Sequence, residues 1–306
     1  MSNVVIFGGA GFIGSTLANL LYTLNTFKNV ITVGRSKTSK FRLDSKIEYI
    51  QGDAADPGFV LEILAKADYV VDLTYSTVPQ TSYLNPLLEV TQNLPACINI
   101  MQQCMMQSVK RYLLVSSGGT VYGNTDKMII SENHPTNPIS PYGIAKLTME
   151  KYAYFYHKNF DLQVVVARPS NPYGLNQIGV KPQGFIGNAI SFLINQHPLT
   201  VYGQQGTVRD YIYVGDLAQG LCDCLLYGKA GTAYNIGSGF GFNNIEVIKI
   251  LEDIFSLSFV EIKINQPRPF DVNYNVLDIS KIKELNEWSP SHCLVTGINK
   301  IKKELK

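Results

Sequence analysis

The first twenty-two residues constrain this chain more than any other stretch. Val4-Val5-Ile6-Phe7 is an unbroken apolar run of the kind that forms a strand buried on both faces. It passes directly into Gly8-Gly9-Ala10-Gly11-Phe12-Ile13-Gly14 and then into an apolar helical stretch from Ser15 to Tyr22. Gly8 permits the tight turn, Gly11 lets backbone amides approach a pyrophosphate, and Gly14 lets the helix pack closely on the strand. The helix N-terminus adds partial positive charge. Strand, glycine turn and helix follow in the order that a dinucleotide site requires.

The alternation continues. Apolar runs at Val30 to Val33, Ile47 to Ile50, Tyr69 to Leu73, Tyr112 to Ser116 and Leu162 to Ala167 read as strands, separated by helical patterns. Such alternation implies an α/β fold, a doubly wound parallel (Rossmann) sheet with helices on both faces. Ligands bind beyond the carboxyl ends of the strands of such sheets, where Gly8 to Gly14, Gly52-Asp53, Thr74 and Ser116-Ser117 fall. After Arg168-Pro169 the texture shifts to short helices, Gly/Pro-rich loops and isolated strands. The expected division is a dinucleotide-binding domain over 1–170 and a smaller mixed α/β substrate-binding domain over 171–306, with part of 208–240 returning to the first.

Composition excludes several classes. With 306 residues, 45% of them hydrophobic, the chain has ample material for a core. A net charge of +2 without a long basic block gives no footprint for nucleic acid and no polybasic membrane signal. No window approaches the ~20 apolar residues of a membrane span, and the N-terminus lacks the layout of a signal peptide. A cytoplasmic protein is expected. The five cysteines (Cys97, Cys104, Cys222, Cys224, Cys293) lack a second pair at ligand spacing and read as core thiols, so no metal is expected.

Tyr142 and Lys146 stand four apart at the start of a helical pattern running to about Asn159, which puts phenol and ammonium on one face. A lysine beside a tyrosine favours the phenolate and should lower its pKa from about 10. The pair reads as an acid/base apparatus.

Seven motifs in order now carry a resemblance. They are the glycine turn, Gly52-Asp53, Ser116-Ser117-Gly118-Gly119-Thr120-Val121-Tyr122-Gly123, Tyr142 to Lys146, Arg168-Pro169-Ser170-Asn171-Pro172-Tyr173-Gly174, Val208-Arg209-Asp210-Tyr211-Ile212-Tyr213-Val214 and Pro267-Arg268-Pro269-Phe270-Asp271. Over nearly its whole length the chain resembles the extended short-chain dehydrogenase/reductases of the NAD-dependent epimerase/dehydratase family that act on nucleotide sugars. The resemblance implies cofactor contacts from Gly8, Gly11, Phe12, Ile13, Gly14, Asp53, Ala54, Leu73, Thr74, Asn93, Lys146 and Pro169, with Asp53 by the adenine. Asn93 and Lys146 would serve the nicotinamide half. Tyr142 is implied as the acid/base, and Gly118, Gly119, Asn171, Arg209, Arg268 and Asn275 as the substrate side. Guanidinium groups suit the phosphates of a nucleotide-diphosphate sugar.

Three departures are informative. The family usually has Ser or Thr where Gly118 stands, so Ser117 or Thr120 would have to replace that hydroxyl, or the sugar oxygen would bind Tyr142 directly. The family's dehydratases need an acid and a base beside that position, and its decarboxylases a carboxylate two before the motif tyrosine. Gly119 and Thr120 occupy those places, which ranks both chemistries low. The second strand ends in Val33-Gly34-Arg35-Ser36-Lys37, where an acid usually holds the ribose of NAD. Arg35, Ser36 and Lys37 can instead bind a 2′-phosphate, which favours NADP(H) over NAD(H).

An epimerase retains one nicotinamide, whereas a reductase exchanges it each turnover and benefits from NADPH. The expectation is therefore a reductase of a nucleotide-activated 4-keto, 6-deoxy sugar, with a nucleotide-sugar 4-epimerase as the alternative. Asn275, seven residues after Arg268, stands where related epimerases place a bulky aromatic, and leaves room. Helices over about Leu87 to Gln107 and Tyr142 to Asn159 are expected to expose apolar faces that pair in a homodimer.

Overall fold

A computed structural model describes residues 2–179 and 184–305. Strands β1 (Asn3–Phe7), β2 (Asn29–Gly34), β3 (Glu48–Gln51), β4 (Tyr69–Asp72), β5 (Arg111–Val115) and β6 (Val164–Pro169) alternate with helices. These are α1 (Phe12–Thr23), α2 (Pro57–Leu64), α3 (Pro79–Leu84), α4 (Leu94–Met106) and α5 (Pro141–Phe160). The expected fold class holds, and strand ends move by a residue or two. The long helix expected from Leu87 differs: a π-helical turn over Glu89–Asn93 precedes α4, and Pro95 lies in the first turn of α4, where its missing N–H costs nothing.

Beyond β6 come β7 (Asn171–Tyr173), α6 (Phe185–Ile194), β8 (Leu199–Tyr202), β9 (Val208–Tyr213) and α7 (Val214–Tyr227). They are followed by β10 (Thr232–Ile236), β11 (Gly241–Phe242), α8 (Asn244–Phe255), β12 (Ile262–Asn265), β13 (Tyr274–Asn275), α9 (Ser280–Asn286) and α10 (Leu294–Glu304).

Seven parallel strands form the main sheet in the order β10-β6-β5-β4-β1-β2-β3. The chain thus reverses direction across the sheet between β1 and β4, the switch point at which such folds take ligands. The alternation of β1 explains both layers: Val4 and Ile6 pack with Leu17, Leu21, Leu217 and Leu221 on one face. Val5 and Phe7 pack with Ile63, Ile100, Met101 and Met149 on the other. At about 1.5–3 kcal/mol per fully buried side chain, this double-faced burial dominates the stability of the sheet. A third cluster joins α6, α8 and α10, through Ile190, Leu251 and Ile298, to β9. Strands β7, β9, β11 and β13 form a second small sheet and β8 pairs β12.

Candidate functional site

The glycine turn has the geometry its sequence implies. Gly8 has a φ of 75°, and a Cβ there would lie 2.6 Å from the Leu73 carbonyl oxygen. A Cβ on Gly14 would collide with the Gly8 carbonyl, so α1 lies against the turn only because residue 14 has none. Gly11 is the N-cap of α1 and contributes no side-chain cap, which leaves the first amides of the helix for an anion.

Two adjoining cavities of about 510 and 550 Å³ open here and share Gly8, Gly11, Leu73 and Tyr75 as walls. Both fall in the range of small-molecule sites. The second holds the expected dinucleotide residues Asp53, Ala54, Thr74 and Asn93, and at its far end Gly34, Arg35 and Ser36. Lys40, not Lys37, completes that basic end. Among the described residues Asp53 is its only carboxylate, and it accepts from the Ala55 amide at 3.0 Å. The Asn93 side chain is fully engaged within the protein. It accepts from the Ser76 amide and hydroxyl at 2.9 and 2.8 Å and donates to Thr77 and Glu89 at 3.0 and 2.9 Å. Thr74 is likewise tied, its hydroxyl donating to Asp72 at 2.5 Å.

The first cavity carries Phe12, Ile13, Gly14 and Pro169 toward the cofactor side, and Tyr142, Lys146, Ser117, Gly119 and Thr120 at its floor. The Ser140 side chain caps α5 by accepting from the Gly143 amide at 3.2 Å, which fixes the first turn and with it Tyr142. Lys146 is buried, donates to the Val115 carbonyl at 2.9 Å, and lies 5.9 Å from the centre of the Tyr142 ring. The lowered phenol pKa expected for Tyr142 is not what the structure gives. Burial raises it, the negative charge of Glu89 raises it further, and the facing Ser117 hydroxyl pulls the other way without prevailing. The lysine cannot reverse this because its ammonium is turned to Val115; its own pKa is lowered, by burial first, against the opposing charges of Asp72, Glu89 and Glu150.

Beneath the floor, Glu150 accepts a two-pronged contact from Arg168 at 3.0 and 2.6 Å and the Ser116 hydroxyl at 2.5 Å. Arg168 also donates to the Tyr122 hydroxyl at 2.9 Å. This buried network locks the segment from Ser116 to Tyr122 from both ends. Within it Thr120, a residue of the cavity wall, has a buried hydroxyl without a partner among the described residues.

Gly118 and Asn275 do not reach the cavity wall. A Cβ at 118 would meet Leu277 at 2.6 Å and the Arg168 carbonyl at 2.7 Å, so that position points into β6 and the segment after β13 rather than toward a ligand. Asn275 is completely buried and donates to the Gly118 carbonyl at 3.0 Å, which corrects the expectation that it shapes the sugar pocket. Gly119 does face open space, its nearest neighbour to a Cβ being Asn171 at 3.7 Å.

On the remaining wall, Asn171 donates to the Asp210 carbonyl at 3.3 Å. Arg209 donates to the Val208 carbonyl at 3.0 Å and makes no ion pair among the described residues. Burial lowers its pKa, with Tyr211 and Asp271 opposing and Arg268 adding to the effect. Such a guanidinium is a ready anion ligand. Arg268 is anchored to Asp271 at 2.7 Å and lies over the rings of Tyr202 and Phe270 at 4.4 and 5.1 Å.

Tyr75, Thr77 and Glu89 were missed from sequence. Glu89 is buried and accepts from Thr77 and Tyr75, both at 2.5 Å; burial pushes its pKa up, but these bonds with those from Ser82 and Asn93 hold it below the ordinary value. The available signal was Glu89 standing four before Asn93 on a helical turn.

Among the described residues no group of His, Cys, Asp and Glu could hold a metal, and no helix is long and apolar enough to cross a membrane.

The description "NAD dependent epimerase/dehydratase family" matches residues 4–237. A putative UDP-glucose 4-epimerase of Methanocaldococcus jannaschii is 29% identical over 300 residues, covering 97% of this chain and 96% of the relative. A dTDP-4-dehydro-6-deoxyglucose reductase of Escherichia coli is 28% identical over 320 residues, covering 100% and 98%. The crystal structure of a UDP-glucose 4-epimerase from Thermotoga maritima with UDP-glucose superimposes with a TM-score of 0.92 at 27% identity, covering 99% of this chain and 100% of that one. With that match over most of its length, the glycine turn and the Tyr142–Lys146 pair at one cavity, this chain belongs to the NAD-dependent epimerase/dehydratase family.

Proposed function

We propose that this enzyme reduces a nucleotide-activated 4-keto, 6-deoxy sugar with NADPH. The observation that carries the reading is the far end of the dinucleotide cavity, where Gly34, Arg35, Ser36 and Lys40 gather with no carboxylate at the end of β2. A 2′-phosphate meets cations there and no repulsion. The fit to a dinucleotide rests on the uncapped α1 amides and the turn that a Cβ would fill. Arg35, Ser36 and Lys40 would hold the 2′-phosphate, residues 8–14 the pyrophosphate, Asp53 and Ala54 the adenosine, and Lys146 the nicotinamide ribose.

When bound, reduced nicotinamide supplies hydride to the sugar's carbonyl carbon. Tyr142 gives its proton to the carbonyl oxygen, leaving a carbinol and a phenolate that regains a proton from solvent. The raised Tyr142 pKa supports the donor role, because the phenol is protonated at the start of each turnover. Ser117 and Thr120, which line the cavity, would orient the sugar oxygen, since position 118 points away from it. Asn171, Arg209 and Arg268 hold the nucleotide diphosphate.

A second reading, nucleotide-sugar 4-epimerisation with a retained cofactor, is favoured by the end-to-end likeness to a UDP-glucose 4-epimerase. Cofactor-stripped protein mixed with NADPH and a panel of nucleotide-linked 4-keto-6-deoxy sugars separates the two. Stoichiometric loss of nicotinamide absorbance supports reduction; no loss with any sugar, together with a tightly co-purifying nicotinamide, supports epimerisation.

The proposed assembly is a homodimer, supported by exposed Leu84 of α3 and Val90 of the π-helical turn, two elements that contact α5, by exposed Leu87 between them, and by exposed Ile144, Tyr154 and Phe155 on α5 itself. Light scattering at micromolar concentration should give twice the chain mass.

A further inference from the structure

Lys146 has an unusual environment for a buried ammonium. It forms no ion pair among the described residues. Its Nζ donates to one carbonyl, that of Val115, and lies 3.9 Å from the centre of the Tyr75 ring. A desolvated cation over an aromatic face is attracted by the ring's quadrupole, which can fix a flexible four-carbon side chain. The Tyr75 ring is itself fixed on two sides. Its hydroxyl donates to Glu89 at 2.5 Å, and it packs with the Tyr142 ring in a T-shaped pair at a centroid distance of 4.8 Å and an interplanar angle of 67°. Tyr75 also lines both cavities, at the point where dinucleotide and sugar sides join.

We infer that Tyr75 is a positioning residue for the acid/base pair: its face holds the Lys146 ammonium, with Glu89 and the Tyr142 ring as the anchors of its own ring. The inference rests on the reading that Tyr142 and Lys146 carry the proton transfer. Aromaticity at residue 75, rather than bulk, is then what turnover requires.

The test compares Tyr75→Phe and Tyr75→Leu in the full chain, alone and with Lys146→Met, in the sugar-reduction assay or, if epimerisation is the activity, in UDP-glucose interconversion. Tyr75→Leu should lower kcat about 10-fold with KM for the sugar nucleotide little changed, while Tyr75→Phe stays within about 3-fold of the parent. In the Lys146→Met background Tyr75→Leu should cost less than about 2-fold, since no cation remains to be held. Equal losses in both backgrounds, or equal losses for Phe and Leu, would overturn the inference in favour of simple packing.

A second readout needs no substrate. In protein labelled with carbon-13 lysine, the Lys146 resonance, identified by its loss in Lys146→Met, should be shifted upfield by the ring. It should return to the ordinary lysine region in Tyr75→Leu but not in Tyr75→Phe. An unshifted resonance in the parent protein would also overturn it. If Tyr142→Phe and Lys146→Met leave turnover intact, the underlying catalytic reading fails; if they lower it steeply, to a residual rate that can still be measured, and Tyr75→Leu leaves it unchanged, only this inference fails.

Discussion

The two adjoining cavities are built by different means. Around Gly8, Gly11 and Gly14 the wall is backbone, and its shape follows from missing Cβ atoms and a helix end without a side-chain cap. On the sugar side the wall is side chains drawn from β7, β8, β9, α5 and the segments after β5 and β12, and several carry unused capacity. Among the described residues Thr120 has an unpartnered hydroxyl and Arg209 no ion pair. Backbone geometry suits the pyrophosphate that every dinucleotide shares, whereas side chains with unused capacity suit one particular ligand.

The largest break in this comparison should come where the cavities meet. Tyr142→Phe is expected to lower kcat about 10²- to 10⁴-fold with little effect on thermal stability or cofactor affinity. Because burial and Glu89 raise the phenol's pKa, the donor form exists at all pH values below it. The rate of reduction should therefore hold from neutral into alkaline pH and fall only above the ordinary phenol range. A fall centred below pH 9 in the single-turnover rate would contradict that assignment.

Arg209→Leu comes next. It should raise KM for the nucleotide sugar about 10- to 100-fold, the worth of a charge-assisted contact to phosphate, while raising the melting temperature by removing an unpaired charge. Binding lost without added stability would show that the arginine has a structural partner. Arg35→Ala tests the backbone-built side. It should lower the preference for NADPH over NADH by about 10-fold, measured as the ratio of kcat/KM values, and leave the sugar's KM alone.

The smallest effects distinguish neighbouring glycines. Gly118→Ala should cost about 1–3 kcal/mol in denaturant unfolding, because its Cβ meets Leu277 and the Arg168 carbonyl. Gly119→Ala, with 3.7 Å to its nearest neighbour, should stay within about 0.5 kcal/mol. Similar costs at both positions would mean that the floor of the sugar cavity is not held as described.

This difference in construction also explains what could be read from sequence. Backbone geometry leaves a local signature, so the glycine turn, the strand alternation and the Tyr142–Lys146 spacing were all legible. The sugar side was legible only through family motifs, and these misplace residues when a side chain turns inward. Asn275 is an example: its rank after Arg268 is correct, but strand β13 directs it to the Gly118 carbonyl. The direction of the Tyr142 shift escaped for a related reason. Spacing along α5 brings Lys146 near the phenol, but the ammonium's choice of Val115 and the approach of Glu89 from a π-helical turn are tertiary facts.

The most direct test of reduction through Tyr142 follows the hydride itself. The protein would be incubated with NADPH carrying deuterium at the transferable position of the nicotinamide and with a nucleotide-linked 4-keto-6-deoxy sugar, and the product sugar examined by mass spectrometry. The account expects one deuterium at carbon 4 for each NADPH oxidised, with the transfer slowed about 10²- to 10⁴-fold in the Tyr142→Phe protein. A product free of deuterium beside an unconsumed cofactor, or a UDP-hexose inverted at carbon 4 without net oxidation, would contradict it.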